Sequence, residues 1–354
     1  MRSLYIHIPF CTQKCPYCSF YSTTDTQLIH EYLEACIAEI RSLPKVPFDT
    51  VYIGGGTPSY IGGTMLGEFI GKVLDNITYT GGEFTIEVNP DSVDIALCNE
   101  LAKYPISRIS MGVQSLDNSV LSLLGRVHSS AQALMACKLL QRWDLNLDLI
   151  YDIPTVPYDT IKDSLQQLIS LNPSHISAYS YSPDTGYLAK SASDDPFQMN
   201  EIATILERAG YARYEVSNFA RKRKQSKHNT NYWQMGDYYG VGAAAHSMIN
   251  MGAERVRYSH QQSVTDYIKD PLSRVESELL SGETVLKEDI VFGLRMIDGI
   301  NFVDVEKKYG KISSTLQIKI DSLVNEGMLG WKGKRLMATE RGLLLLDSVT
   351  SYLW

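Results

Sequence analysis

The amino-acid sequence predicts an α/β protein: a partial (β/α)6 barrel followed by a C-terminal winged-helix-like α module. Through the first 220 residues, short β-rich runs alternate with longer segments of helical period, as in βα units around a parallel sheet. Beyond residue 283, three helical segments precede a probable hairpin. A length of 354 residues suits one large domain and one small one. We therefore expect a barrel over 1–220, a connecting region over 221–282 and the helical module over 283–354.

Six runs in the first part of the chain have the composition of buried parallel strands. The segments between them, such as EYLEACIAEI and TIKDSLQQLI, place apolar residues three and four positions apart, as helices covering a sheet require. Six such units indicate an incomplete barrel rather than a closed one. The predicted strands are Leu4–His7, Thr50–Ile53, Phe84–Val88, Arg108–Gly112, Asn146–Ile150 and His175–Tyr179.

The rest of the chain follows a different pattern. From about Tyr211 the alternation fades into polar, glycine-containing and aromatic-rich sequence, which predicts a loop-dominated connection. The segments VLKEDIVFGLRMI, VDVEKKYG and STLQIKIDSLVNEG then predict helices, and MLGWKGKRLMATERG predicts a hairpin. Residues 283–354 carry ten basic and ten acidic side chains, so this module lacks the positive charge of a nucleic-acid reader.

Composition narrows the function classes. With 44% hydrophobic residues the chain has enough apolar material for a buried core. A formal net charge of −7 would repel a phosphate backbone, so we expect no nucleic-acid partner. The sequence contains neither an apolar signal region nor a run of about 18 apolar residues, so we expect a cytoplasmic protein without a membrane span.

Three cysteines crowd into the stretch HIPFCTQKCPYCSF directly after the first predicted strand. Cys11, Cys15 and Cys18 offer soft thiolate ligands for zinc or for an iron–sulfur cluster. Three thiolates leave one corner of a four-iron cluster open for a small molecule with amino and carboxylate groups. A structural zinc site completed by His7 is the alternative. The other cysteines lie in apolar helical periods and are expected in the core: Cys36, Cys98 and Cys137.

Two further features fall where a barrel places its chemistry, at the carboxyl ends of the strands. The segment YIGGGTPS, residues 52–59, is either a tight strand-to-helix turn or a ligand loop whose N–H groups are free to bind. Glu87, Gln114 and Asp148 lie at the ends of three other strands. Burial of Glu87 and Asp148 is costly without a partner, and Arg126 is expected to be the cation that pairs with them. The pairing is either an internal salt bridge or part of a ligand site.

These motifs resemble a known family. The CxxxCxxC spacing after a strand resembles the radical-SAM signature, and YIHIPFCTQKCPYCSF, GGGTPS, EVNP, SMGVQS, DLIYDIP and LNPSHISAYSYSP together resemble the oxygen-independent coproporphyrinogen dehydrogenases and their heme-chaperone relatives. The resemblance covers nearly the whole chain. It implies a [4Fe–4S] cluster on the three cysteines, with S-adenosyl-L-methionine surrounded by Tyr5, Tyr17, Gly55, Gly56, Thr57, Glu87, Gln114, Arg126, Asp148 and Ser182.

Three features favour the heme-chaperone branch over the dehydrogenase branch. Ser19 and Phe20 follow Cys18, where the dehydrogenases carry a further cysteine, and only ten residues precede Cys11. HNTNYW at 228–233 also resembles the HNxxYW signature of the chaperones. The resemblance implies transfer of heme to an acceptor hemoprotein, with peripheral contact to membrane hemoproteins compatible with it. The alternative is radical oxidative decarboxylation of coproporphyrinogen III, an activity we expect to be absent.

The implied heme site has a plain structural alternative. The resemblance implies heme contacts from His228, Tyr232 and Trp233, since imidazole can ligate iron and aromatic rings can face a porphyrin. Judged from the residues alone, a histidine beside aromatics is more often a structural corner. His246 in GAAAHS is a second candidate ligand. The basic residues expected near the heme propionates are Arg221, Lys222, Arg223, Lys224 and Lys227.

One residue departs from the family pattern. Asp152 in DLIYDIP stands where the family usually has glycine. If the turn needs a positive φ, a non-glycine residue there carries strain. We therefore expect either a different turn or a strained one after this strand.

Overall fold

The computed structural model describes residues 1–182 and 197–354 and confirms the α/β class. Its centre is a sheet of six parallel strands, each extending one of the six predicted runs. The register places Tyr5 beside Tyr52 and Asp148 beside Ser177. The strands are β1 (Arg2–Ile8), β2 (Pro47–Gly55), β3 (Thr78–Val88), β4 (Arg108–Gln114), β5 (Asp144–Tyr151) and β6 (His175–Ser180).

Six helices follow these strands and connect them, as βα units require. Short 3₁₀ helices at Pro58–Ile61 and Pro90–Ser92 precede two of them. Ser129 and Gln132 form a capping box at the start of the fifth helix. The helices are α1 (Ile29–Ser42), α2 (Gly63–Asn76), α3 (Ile95–Leu101), α4 (Asn118–Leu123), α5 (Ser130–Leu139) and α6 (Tyr158–Ser170).

The main core lies between the helices and one face of the sheet. Leu4, Ile6 and Ile8 alternate along β1 and are fully buried in this core. Cys36, Cys98 and Cys137 are buried on α1, α3 and α5, which confirms their expected place in the core. The alternate residues of the strands face the concave side of the sheet, which leaves polar side chains such as Tyr5 available to a site.

The prediction of a loop-dominated region after Tyr211 is wrong. Residues 211–282 contain six strands, one of which, β9, pairs in parallel with β1 on the side opposite β2. These strands are short, and they pair with one another or with the distant strands β1 and β6, so local sequence patterns are a poor guide to them. They are β7 (Ala212–Arg213), β8 (Asn218–Ala220), β9 (Asp237–Val241), β10 (His246–Met251), β11 (Glu254–Ser259) and β12 (Glu276–Leu280).

Together these strands form one twelve-stranded sheet in the order β12-β11-β10-β9-β1-β2-β3-β4-β5-β6-β8-β7. In the described chain its outermost strands, β12 and β7, do not pair with each other, so the barrel is open, as predicted. Three helices accompany the added strands: α7 (Phe197–Arg208), α8 (Lys227–Trp233) and α9 (Val264–Lys269). No helix within the described ranges is both long and apolar enough to cross a membrane.

The C-terminal module has the predicted order of three helices and a hairpin, with a separate core around Ile290 and Ile320. A short strand completes a three-stranded sheet, and two C-terminal helices that the sequence reading did not anticipate close the module. The helices are α10 (Glu283–Gly293), α11 (Phe302–Tyr309), α12 (Ser314–Asn325), α13 (Glu340–Leu344) and α14 (Leu346–Leu353). The strands are β13 (Ile300–Asn301), β14 (Leu329–Lys332) and β15 (Arg335–Ala338).

Candidate functional site

The three cysteines lie in a loop that leaves the carboxyl end of β1. Backbone hydrogen bonds close the base of this loop, from Cys11 N–H to Thr23 O at 3.0 Å and from Thr23 N–H to Pro9 O at 2.8 Å. Within it, Cys18 N–H donates to Cys15 O at 3.0 Å. All three thiols are free and partly exposed. The loop therefore holds three sulfurs on one closed segment at the mouth of the barrel.

The donor set fits an iron–sulfur cluster better than a zinc ion. His7, the fourth ligand of the alternative zinc site, bonds through Nδ1 to the Tyr5 hydroxyl at 2.9 Å and through Nε2 to Tyr21 O at 3.0 Å. Burial lowers the pKa of His7 to about 4, so its ring is neutral. Over residues 1–182 and 197–354, no three His, Cys, Asp or Glu side chains converge on a single ion position. Thiolates spread over different corners of a cluster need no such convergence.

Polar side chains from other elements contact the cysteine sulfurs. Thr57 Oγ1 lies 3.5 Å from Cys11 Sγ, and Arg126 Nη1 lies 3.7 Å from Cys15 Sγ. Arg126 also donates through Nη2 to Asn89 Oδ1 at 2.7 Å and to Gly112 O at 2.8 Å. The expectation that Arg126 pairs with the strand-end carboxylates is therefore wrong. Its guanidinium lies instead beside the sulfur of Cys15.

The glycine loop packs directly against the base of the cysteine loop. Gly56 N–H donates to Ile8 O at 2.8 Å, Thr57 N–H donates to Phe10 O at 2.9 Å, and Gly55 N–H donates to the Glu87 carboxylate at 2.9 Å. The expectation of free N–H groups in this loop is therefore wrong. Glycine is needed at position 56 for close approach, because a Cβ there would lie 2.7 Å from the Pro9 carbonyl carbon. The two loops thus form one joined rim.

Below this rim, a cavity of about 330 Å³ opens on the concave side of the sheet. Five of the ten residues expected around S-adenosylmethionine line it: Tyr17, Glu87, Gln114, Asp148 and Ser182. The other five belong to the rim and its support: Tyr5, Gly55, Gly56, Thr57 and Arg126. Cys18, Ser19 and Phe20 also line the cavity, so it reaches the cysteine loop. The structure therefore gathers the predicted residues at one end of the barrel.

Two carboxyl groups in this cavity have raised pKa values. Burial raises the pKa of Glu87 to about 7, although its carboxylate accepts from Tyr52 Oη at 2.5 Å and from Gly55 N–H. Burial also raises the pKa of Asp148, whose carboxylate accepts from Asn146 Nδ2 at 2.8 Å. Among the described residues, both acids are bonded by neutral donors and neither has an ion-pair partner. Both can therefore accept hydrogen bonds from a polar ligand, and Glu87 can keep a proton near neutral pH.

The floor of the cavity contains two polar groups that the sequence did not predict as site residues. Arg108 is 5% exposed and lines the cavity, with its Nη1 donating to Lys224 O at 3.1 Å. His175 bonds to Asn146 Oδ1 at 2.6 Å and to Tyr214 Oη at 2.9 Å. Arg108 and His175 are the first residues of their strands, where we did not expect site residues. The usable signal was a polar residue facing inward from a buried strand.

The HNTNYW segment forms helix α8 rather than a loop. Glu83 on β3 accepts from the backbone N–H groups of Lys227 and His228 at 3.0 and 2.9 Å, which places a carboxylate at the helix N-terminus. Ser226 caps the same end by accepting from Asn229 N–H. In this structure the motif therefore holds helix α8 against strand β3 of the barrel.

The expected heme residues of this motif lie in packed surroundings. His228 is 1% exposed, and its Nδ1 and Nε2 lie 2.8 Å from Thr50 Oγ1 and Tyr232 Oη, respectively. Burial lowers the pKa of His228 to about 3. Trp233 stacks on Phe292 of the C-terminal module at 6.3 Å between ring centroids. A ring nitrogen of His228 could bind iron only after its own hydrogen bond breaks and the packing around the buried ring opens, so its role as a ligand stays a prediction.

The neighbouring basic run also has partners of its own. Arg221 Nη2 donates to Asn172 Oδ1 at 2.6 Å, and Lys224 Nζ forms an ion pair with Asp144 at 2.6 Å. These contacts lie at the amino ends of the strands, away from the cysteine loop. The expected propionate contacts therefore stay a prediction. Lys222 lines a separate surface cleft beside Trp143.

Asp152 adopts the strained backbone conformation that the sequence predicts as one of two outcomes. Its φ is 55°, in the left-handed region. Its carboxylate accepts from Ser180 Oγ at 2.9 Å, and its N–H donates to Gln198 Oε1 at 3.1 Å. The expected strained turn is confirmed, and these two hydrogen bonds hold it.

An open parallel barrel with three cysteines on the first loop and a glycine loop beside it defines a class, and the comparisons with known proteins agree. Residues 5–168 match the family model described as the Radical SAM superfamily. The solved structure of "Coproporphyrinogen III oxidase (HemN) from Escherichia coli" superposes with a TM-score of 0.84, covering 99% of this chain and 89% of that one at 20% identity. That likeness shows the fold.

Curated relatives identify the branch. The chain is 31% identical to "Heme chaperone HemW" of Lactococcus lactis over 98% of its length and 96% of that protein. It is 30% identical to the protein of the same name from Haemophilus influenzae and 29% identical to that from Escherichia coli K12, with the same shares covered. The chain therefore belongs to the HemW family of radical SAM proteins. The family assignment made from the motifs is confirmed.

Proposed function

We propose that this protein is a heme chaperone that holds a [4Fe–4S] cluster with S-adenosylmethionine, binds heme and transfers it to an acceptor protein. The observation that carries the proposal is the cysteine loop. It offers three sulfurs at the mouth of a cavity of about 330 Å³, in a chain whose near full-length relatives bear the name heme chaperone.

The rim residues have specific roles in this proposal. Cys11, Cys15 and Cys18 would hold three corners of the cluster, and Arg126 would donate a hydrogen bond to the sulfur of Cys15. When bound, the cluster with S-adenosylmethionine supplies one-electron chemistry. Glu87 and Asp148 accept hydrogen bonds from the ligand's polar groups, while Tyr52 and Asn146 hold the two carboxylates in place.

The volume of the cavity favours S-adenosylmethionine over heme as its ligand. A volume of about 330 Å³ is at the small end of the range for ligand pockets, about 300–1,000 Å³, and suits one molecule such as S-adenosylmethionine. We therefore assign this cavity to S-adenosylmethionine and propose that heme binds outside it.

Heme transfer under anaerobic conditions tests the proposal. Reconstituted protein loaded with heme should donate it to an apo-hemoprotein, followed by the rise of the acceptor's Soret band. The same preparation, supplied with coproporphyrinogen III, S-adenosylmethionine and a reductant, should yield no vinyl-bearing product. Failure to bind or donate heme, or formation of the vinyl product, would contradict the chaperone function.

The charge of the chain indicates the kind of surface that an acceptor protein would present. The net charge of −7 favours partners with basic docking surfaces and disfavours nucleic acid. We place the protein in the cytoplasm and propose that it meets its acceptor there or at the membrane surface.

A further inference from the structure

The seven histidines of this chain fall into a buried group and an exposed group. Five are at most 4% exposed, and each has a ring nitrogen bonded to a protein group. These five are His7, His128, His175, His228 and His260. Only His30 and His246 are exposed, and both lie in the described part of the chain. A heme iron that binds from solvent can therefore reach only these two imidazoles without unfolding part of the core.

The fold distinguishes the two exposed histidines by the face on which they lie. His30 is in the first turn of α1, among the helices that cover the outer side of the sheet. His246 begins β10, where it shares a strand face with Met248, which pairs with Tyr238 of β9. Tyr238 and Gly240 pair in turn with Ser3 and Tyr5 of β1. His246 therefore lies on the concave face that contains the cavity, two strands from Tyr5 and so about 10 Å away.

The backbone around His246 connects it to the cysteine loop. The turn that precedes it packs on β1: a Cβ at Gly242 would lie 2.7 Å from His7 O, four residues before Cys11. Gly240 packs against the start of β10, since a Cβ there would lie 2.1 Å from His246 O. Among described residues, none hydrogen-bonds to the imidazole of His246.

We infer that His246 is the axial ligand of the heme iron, and that heme lies on the concave face of the sheet beyond β1, beside the cysteine rim. Neutral imidazole is the commonest axial ligand of heme iron. A half-exposed guanidinium, Arg257, occupies the diagonal position on β11 and is within reach of a propionate, although it already pairs with Glu278 and Glu288. The inference rests on the proposed function, because it names the residue by which the proposed cargo is held.

Anaerobic heme titration of five forms of the full-length protein tests the inference: wild type, His246→Ala, His246→Met, His228→Ala and His30→Ala. Absorption and low-temperature EPR report the axial ligand, and circular dichroism reports folding. We expect His246→Ala to lose the imidazole-ligated Soret band and at least tenfold in affinity, with the band restored by added imidazole. His246→Met should bind heme with a changed ligand spectrum. His30→Ala and His228→Ala should keep the wild-type spectrum.

The outcomes separate the two claims. If folded His246→Ala binds heme with the wild-type spectrum and affinity, the inference is overturned while the heme-chaperone function stands. Loss of the band in folded His228→Ala alone would also overturn it and restore the ligand that the motif implied. If the wild-type protein binds no heme at all, the proposed function fails, and the inference fails with it.

Discussion

Individual residues at the barrel mouth show how burial sets the chemistry of the site. Glu87 and Asp148 lie in the same cavity, and neither forms an ion pair with another described residue. Their carboxylates accept from Tyr52 and Asn146, which are neutral donors, so burial raises both pKa values. A cationic ligand such as a sulfonium or an ammonium group would favour the charged forms and lower the pKa values again. Ligand binding and proton release are therefore expected to be linked here.

The pKa of Glu87 predicts a pH dependence of stability. A carboxyl group with a raised pKa binds its proton more tightly in the folded state, so stability is fully present below pH 4.5 and is lost as pH rises toward about 7. We expect Glu87→Gln to remove this dependence, which amounts to about 3 kcal/mol across that range. Urea unfolding of the ligand-free protein between pH 4.5 and 8 measures it.

Glu68→Gln is the matched control, because Glu68 is exposed on α2 and its substitution should leave the pH profile unchanged. Parallel pH profiles for wild type and Glu87→Gln would contradict the assignment of the raised pKa to Glu87.

The contacts of His228 predict a structural role that can be measured separately from heme binding. His228→Ala removes a buried ring and leaves the hydroxyls of Thr50 and Tyr232 without one partner each. We expect a loss of about 2–4 kcal/mol in the free energy of unfolding. Chemical denaturation followed by tryptophan fluorescence measures it, with His30→Ala as the exposed control. An unchanged midpoint for His228→Ala would refute the packing role.

Among the elements, the added strands and the C-terminal module depend on a buried ionic contact. Arg255 on β11 is fully buried, and its Nη1 and Nη2 lie 2.6 and 2.5 Å from Glu288 and Asp289 on α10. Asn250 on β10 also accepts from its guanidinium at 3.2 Å. Since α10 opens the C-terminal module, this contact fastens the module to the extended sheet.

Removal of Arg255 should therefore weaken the contact between strand β11 and helix α10. In Arg255→Met the carboxylate of Glu288 stays buried with only Arg257 beside it, which predicts a loss of about 3 kcal/mol or more in stability. Limited proteolysis should also cut faster between β12 and α10. Lys269→Ala, which removes an exposed ion pair with Asp266, should change neither measurement. Equal proteolysis rates for Arg255→Met and wild type would contradict the fastening role.

For the whole molecule, the sequence predicted what depends on local pattern. Periodicity predicts the six strands, the helices between them and the order of elements in the C-terminal module. The spacing of the three cysteines predicts the cluster loop. The sequence could not predict that β9 would dock on β1, because that pairing joins residues more than 230 positions apart. It also could not predict the partner of Arg126, since the choice between Asn89 and a carboxylate is made by tertiary packing. The burial of His228 was hidden for the same reason.

We propose that Cys11, Cys15 and Cys18 hold a four-iron cluster with one corner open to S-adenosylmethionine. EPR of the anaerobically reconstituted, dithionite-reduced protein, with and without S-adenosylmethionine, tests this arrangement, and iron analysis accompanies it. We expect about four irons per chain and a cluster signal that changes when S-adenosylmethionine is added. A cluster signal that stays the same, or reconstituted protein without iron, would contradict it.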